Sequence, residues 1–232
     1  MIFPWAAGES GIASAAATGE LSPRALGLMR LRADPQHARI PDRDGPALVE
    51  AALEDGATLA DAVRVRCGTQ PLVVASRCNV PVVDSDAEAG YGSVIVFAEY
   101  ATRPPCITLY RPAIARLNRA LARSGLCAPL EIEDARPALL AHELYHHFDL
   151  GGEREPLARR HRVEIFSLGR WRWTSGLTSL AEIAAGAFAQ RLLGLRFHPA
   201  LFELLAGAPP RGRPSLTTCA APAASTGRAR SR

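Results

Sequence analysis

The chain has 232 residues, 48% of them hydrophobic, which is enough for one domain with a real core and too few for several. A formal charge of +4 does not imply a groove for a polyanion, because residues 207–232 hold five Arg and no acid, and taking those five from +4 leaves −1 for the rest. Five cysteines (Cys67, Cys78, Cys106, Cys127, Cys219), odd in number, widely spaced and with no CxxC pair, suggest neither a disulfide framework nor a cysteine metal site and read as reduced thiols, mostly buried.

Along the chain, residues 1–45 are rich in Ala, Gly, Ser and Pro and then in Arg and Asp, and read as a mobile leader. The first residues have no basic stretch, and Glu9 and Glu20 interrupt the apolar ones, so no signal peptide is expected. Nowhere do about 18 apolar residues run together, so no membrane partner is expected and the expected location is the cytoplasm. A domain then spans 46–206. It opens with helical spacing at Leu48, Ala51 and Ala52, a break at Asp55-Gly56, and a second short helix through Leu59, Ala62 and Val63. Residues 71–80 read as a helix and Pro81-Val82-Val83-Asp84 as a strand. The β-rich runs Val94–Tyr100 and Cys106–Tyr110 predict a hairpin. Ile114, Leu117 and Leu121 mark a helix that stops at Ser124-Gly125, and Asp134-Ala135-Arg136-Pro137 starts another that runs to Leu150. A second hairpin is expected from Val163 to Trp173, then a helix from Leu180 to Leu195, and a disordered basic tail over 207–232.

The helix from Ala138 to Leu150 carries His142-Glu143-Leu144-Tyr145-His146. Histidines four apart on a helix differ by about 40° of rotation and about 6 Å of rise, so both imidazoles can reach one ion. Glu143 lies about 80° to one side of their midline, beside a metal and not on it, where a carboxylate can hold a water and serve as general base. His147, about 120° away, is a poor ligand, and Tyr145 is a candidate for substrate contact or for the core. A hydrolytic zinc site uses three protein ligands. The metzincin continuation fails, since Asp149 and Gly152 replace its glycine and third histidine. Downstream, Glu182 and Glu164 are the available carboxylates. Glu182 is favoured because Ala185, Gly186 and Ala189 would let its helix come close, although Ser179-x-x-Glu182 also reads as a capping box.

These two helices resemble the ImmA/IrrE metallopeptidases, in which an HExxH helix is followed by one reading E-x-x-A-x-x-F-A-x-x-L-L, here Glu182, Ala185, Phe188, Ala189, Leu192 and Leu193. The likeness runs from about Pro71 to Leu195. It implies an α+β, minimal gluzincin-like metallopeptidase domain with a small antiparallel or mixed sheet packed on the two helices. It implies one Zn2+ held by His142, His146 and Glu182, with Glu143 as the catalytic residue of an endopeptidase. The implied substrate is a separate protein, a helix-turn-helix repressor, since no such motif lies in this chain. Two departures stand out: the long segment between His146 and Glu182, and Gly194-Leu195 in place of the usual Met-Pro. A catalytically silent, zinc-stabilised interaction module is the alternative.

The segment with Arg154, Arg159, Arg160, His161, Arg162, Arg170, Trp171, Arg172 and Trp173 could in principle track nucleic acid. Nucleic acid is not expected as a partner, however, because an alternating hairpin with its tryptophans turned inward explains the same pattern and Glu153, Glu155 and Glu164 dilute the charge. His161 and His198 remain open as oxyanion contacts.

Overall fold

A computed structural model describes residues 21–91, 94–152 and 154–207 of the chain. In chain order the elements are α1 (Pro23–Arg32), a 3-10 turn (His37–Arg39), α2 (Gly45–Cys67), α3 (Pro71–Arg77), β1 (Val82–Ser85), β2 (Gly90–Tyr91), β3 (Val94–Ile95), β4 (Ala98–Thr102) and β5 (Pro105–Tyr110). They continue with α4 (Arg111–Ser124), α5 (Cys127–Leu130), α6 (Arg136–Leu150), α7 (Leu157–Arg160), β6 (Arg162–Leu168), β7 (Trp171–Gly176), α8 (Thr178–Leu193) and α9 (Leu201–Leu205). The architecture is α+β. Among the described residues no helix is long and apolar enough to cross a membrane.

The expected leader contains structure from residue 21 onward. Ser22 accepts a hydrogen bond from Ala25 N–H at 3.2 Å and Pro23 stands at the first helical position, so α1 has an ordinary start. Leu26 and Leu31 are buried, and the helix packs on α2 and α8. Low local hydrophobicity misleads here because a few well-placed leucines suffice to dock a helix on a larger core. Residues 1–20 and the expected tail from 208 lie outside the described residues.

Helix α2 is continuous through Gly56, where the sequence suggests a break. The glycine serves a close approach. A Cβ built on it would stand 2.1 Å from the Ala184 carbonyl oxygen, so the missing side chain is what lets α2 and α8 lie against each other. Val49, Ala52, Ala60 and Val63 continue the same buried stripe.

The main sheet has the order β1-β5-β4, with β1 parallel to β5 and β4 antiparallel to it. The expected hairpin is therefore present, but its first strand starts at Ala98 and not at Val94. β5 has only six residues to pair, and Phe97 already accepts from Tyr110 N–H at 2.9 Å. Val94 and Ile95 pair instead with Gly90 and Tyr91 in a separate ribbon. Helix α6 packs on β4, β5, α3 and α8, so the motif helix lies between the sheet and the other helices.

The second hairpin joins β6 to β7 with Leu168 opposite Trp171 and Phe166 opposite Trp173. Directly opposed residues share a face, as do residues two apart on one strand, so these four side chains line one side of the ribbon. That side is not turned into the core as expected: Trp171 is 61% and Trp173 50% exposed. Among the described residues this sheet has two strands, and the ribbon is fixed at its base, where Leu177 N–H donates to the His161 carbonyl at 3.1 Å and Gly176 lies against Ala158. Cys67, Cys78, Cys106 and Cys127 are not joined in disulfides.

Candidate metal centre

Helix α6 begins with Pro137 in its first turn, and its buried face carries Ala138, Leu140, Ala141, Leu144 and Tyr145. His142 and His146 follow on that helix as its spacing requires, with ring centroids 5.1 Å apart and Nε2 atoms 3.3 Å apart. Helix α8 brings Glu182 to them. Its Oε2 is 3.2 Å from His142 Nε2, and its Oε1 is 3.5 Å from His146 Nε2. These three residues form a group whose donor atoms all lie within 4.8 Å of one another and which could hold a metal ion.

The spacing fits an ion. Donors bound tetrahedrally at about 2.0–2.1 Å stand about 3.3–3.4 Å from each other; the two imidazole nitrogens are 3.3 Å apart, and each has one oxygen of the Glu182 carboxylate near it, Oε2 at 3.2 Å from His142 and Oε1 at 3.5 Å from His146. Two imidazole nitrogens facing each other at 3.3 Å can share at most one proton between them, and a cation satisfies both lone pairs at once. Burial works against charge on His142, but the hydrogen bond and charge of Glu182 and the charge of Glu143 outweigh it and raise the imidazole above its ordinary value. Burial would likewise raise the Glu182 carboxyl, yet His146, His142 and Arg30 hold it well below the usual carboxylate range. Glu182 is therefore an anion aimed at two imidazoles.

Glu143 is buried on α6 beside His142 and is not one of the three donors. Glu164 is not with them: it lies on β6, half exposed, with its carboxylate 3.5 Å from Arg172. The capping box is not formed either. The residue before α8 is Leu177, the first turn has no side-chain cap of its own, and the N–H of Ser179 is taken by Asp34 Oδ2 at 3.1 Å. Glu182 is thus not spent on its own helix end.

The remaining candidates separate clearly. The Tyr145 hydroxyl donates to Asp55 Oδ2 at 2.8 Å, within a buried group where Arg154 also binds Asp55 and Asp149, so this tyrosine belongs to the core. His147 Nδ1 pairs with the Tyr100 hydroxyl at 3.1 Å. His161 forms part of the hairpin base. His198 is buried against Gly186, and a Cβ on that glycine would stand 2.1 Å from His198 Cε1, so Gly186 makes room for this ring and not for α6. Phe188 packs instead against Tyr145 and Phe148, with centroids 6.0 and 6.1 Å apart.

Sequence reasoning missed Arg30. Its Nη2 donates to Glu182 Oε2 at 3.2 Å, and its Nη1 is hydrogen-bonded to Glu203. The start signal Ser22-Pro23 with Leu26, Met29 and Leu31 could have identified the helix that carries it; nothing in the sequence signals its partner. No protein-family model, curated protein or solved structure matches the chain.

Proposed function

We propose that the chain is a zinc-dependent endopeptidase of the gluzincin type, with His142, His146 and Glu182 as ligands of one zinc ion. The observation that carries this reading is the set of separations near 3.3 Å among two imidazoles and one carboxylate on helices α6 and α8. The donor set suits zinc, which takes His nitrogen and carboxylate oxygen together, better than calcium or magnesium, which take oxygen.

When bound, zinc supplies a Lewis acid that makes water nucleophilic near neutral pH and polarises a carbonyl. Glu143 has the complementary task. Its carboxylate takes the proton from the attacking water and returns it to the nitrogen of the departing amine. A metal held for stability alone does not need a glutamate adjoining its first histidine, which favours hydrolysis over a silent zinc-stabilised module. The likeness of the two helices to ImmA/IrrE metallopeptidases supports a protein substrate, with a transcriptional repressor as its first candidate.

The test begins with metal content. Purified protein should hold about one zinc per chain, and Glu143→Gln should retain it while losing activity by on the order of 10³-fold. Because no substrate is fixed, activity is read as new protein N-termini generated in cells expressing the wild type and absent from cells expressing Glu143→Gln. Identical N-termini in the two would reject hydrolysis by this site. If His142→Ala also failed to fold, the silent module would stand in its place.

A further inference from the structure

We propose that Arg30, braced by Glu203, is a positioning residue that fixes the third metal donor; this rests on the reading of His142, His146 and Glu182 as a zinc centre. The guanidinium sits between two carboxylates, with its side chain 14% exposed, Glu182 Oε2 at 3.2 Å on one side and Glu203 on the other. The oxygen it binds is the one that lies 3.2 Å from His142 Nε2. One oxygen therefore faces both the arginine and the donor cluster. A planar, permanently charged fork occupies one lone pair of that oxygen and sets the plane of the carboxylate, leaving the other lone pair and Oε1 for the ion.

The turn just past α1 grips α8 a second time. Asp34, one turn beyond Arg30, takes the backbone N–H of Ser179 at 3.1 Å, three residues before Glu182. The two contacts divide the work. Asp34 fixes where the first turn of α8 lies, and Arg30 fixes how its carboxylate points. A buried guanidinium without partners is costly, and burial does disfavour its charge, but Glu203, Glu182 and Asp34 outweigh that effect and raise its pKa. Glu203, on the short helix α9, supplies the second carboxylate, so Glu182 need not give up both oxygens to neutralise the arginine. In this way the first and last described helices meet at the metal ligand.

The experiment measures zinc affinity of the full chain by competition with a chromophoric chelator, alongside urea unfolding of each variant. Arg30→Ala should weaken zinc binding by about 10–100-fold, the range found when a group that orients a ligand is removed. Arg30→Lys keeps the charge without the fork and should recover part of that loss. Glu203→Gln should cost a smaller factor and shift the visible bands of the cobalt-substituted protein, which report donor geometry. Asp34→Ala loosens the same contact without touching Glu182, so it should lower the unfolding midpoint and cost the folded protein much less affinity than Arg30→Ala does. Should Arg30→Ala not fold, Arg30→Lys and Glu203→Gln carry the test. Equal affinity in wild type, Arg30→Lys and Glu203→Gln would overturn the proposal, as would losses in Arg30→Ala and Asp34→Ala that merely track stability. A wild type that binds no zinc would instead remove the metal centre on which it rests.

Discussion

His198 uses both ring nitrogens in its neutral form: Nε2 donates to the Ile183 carbonyl at 3.2 Å, and Nδ1 accepts from Ala200 N–H at the same distance. A second proton would face Ala200 N–H, donor against donor, and would charge a ring that is 1% exposed. Burial, outweighing the Ile183 hydrogen bond, lowers its pKa to about 4 from an ordinary 6.5. The unfolded chain therefore takes up a proton below about pH 6.5 that the folded chain refuses until about pH 4. Stability should fall as pH drops through that window, by about 3 kcal/mol in all. Urea unfolding at several pH values should show this slope in the wild type and a shallower one in His198→Gln, whose side chain takes no proton. At this scale His142 and His146 of the candidate metal group, and Glu143, are legible in sequence because one helix and one spacing hold them. Arg30 is not, because its partners lie 152 and 173 residues away and no local pattern marks a long-range pair.

Elements can be right in type and wrong in what they do. The sequence reading treats Gly56 as a stop, since glycine weakens helices, whereas here it is the point where α2 comes nearest to the backbone of α8. Gly56→Ala would improve helix propensity and still destabilise the protein, by about 3 kcal/mol, because its Cβ meets a backbone carbonyl that no rotamer change can move. The check is a urea midpoint together with zinc retention, which should also decline because α8 carries Glu182. The opposite outcome, a stabilised variant, would mean that the two helices can move apart at little cost. Ser179-x-x-Glu182 shows the same limit: the pattern is that of a capping box, but a distant aspartate takes the backbone N–H and releases the glutamate. The β6–β7 hairpin shows it again, since alternation correctly placed its strands and turn while saying nothing about whether a core exists for the tryptophans to enter.

For the molecule as a whole, the boundary suggested at residue 46 divides something that folds together. A fragment covering 46–206 lacks Leu26, Leu31 and Ile40, all buried in the one core, along with Asp34 and Arg30. Three such side chains contribute on the order of 5 kcal/mol of burial, comparable with the whole net stability of many domains. The fragment should lack a cooperative unfolding transition and should not retain zinc, while a chain starting at residue 21 should do both; circular dichroism and metal analysis decide. Composition could not place that boundary, because it averages over a window in which a few leucines and one arginine do the docking.

The contacts of Arg30 have a further consequence in time. Glu203 is among the last described residues to be synthesised and Arg30 among the first, so their bond closes a loop over 173 residues. Loops of that length form late, after local helices and hairpins. On the proposed reading, a nascent chain that has not yet reached Glu203 holds the arginine that braces Glu182 less firmly than the finished chain does.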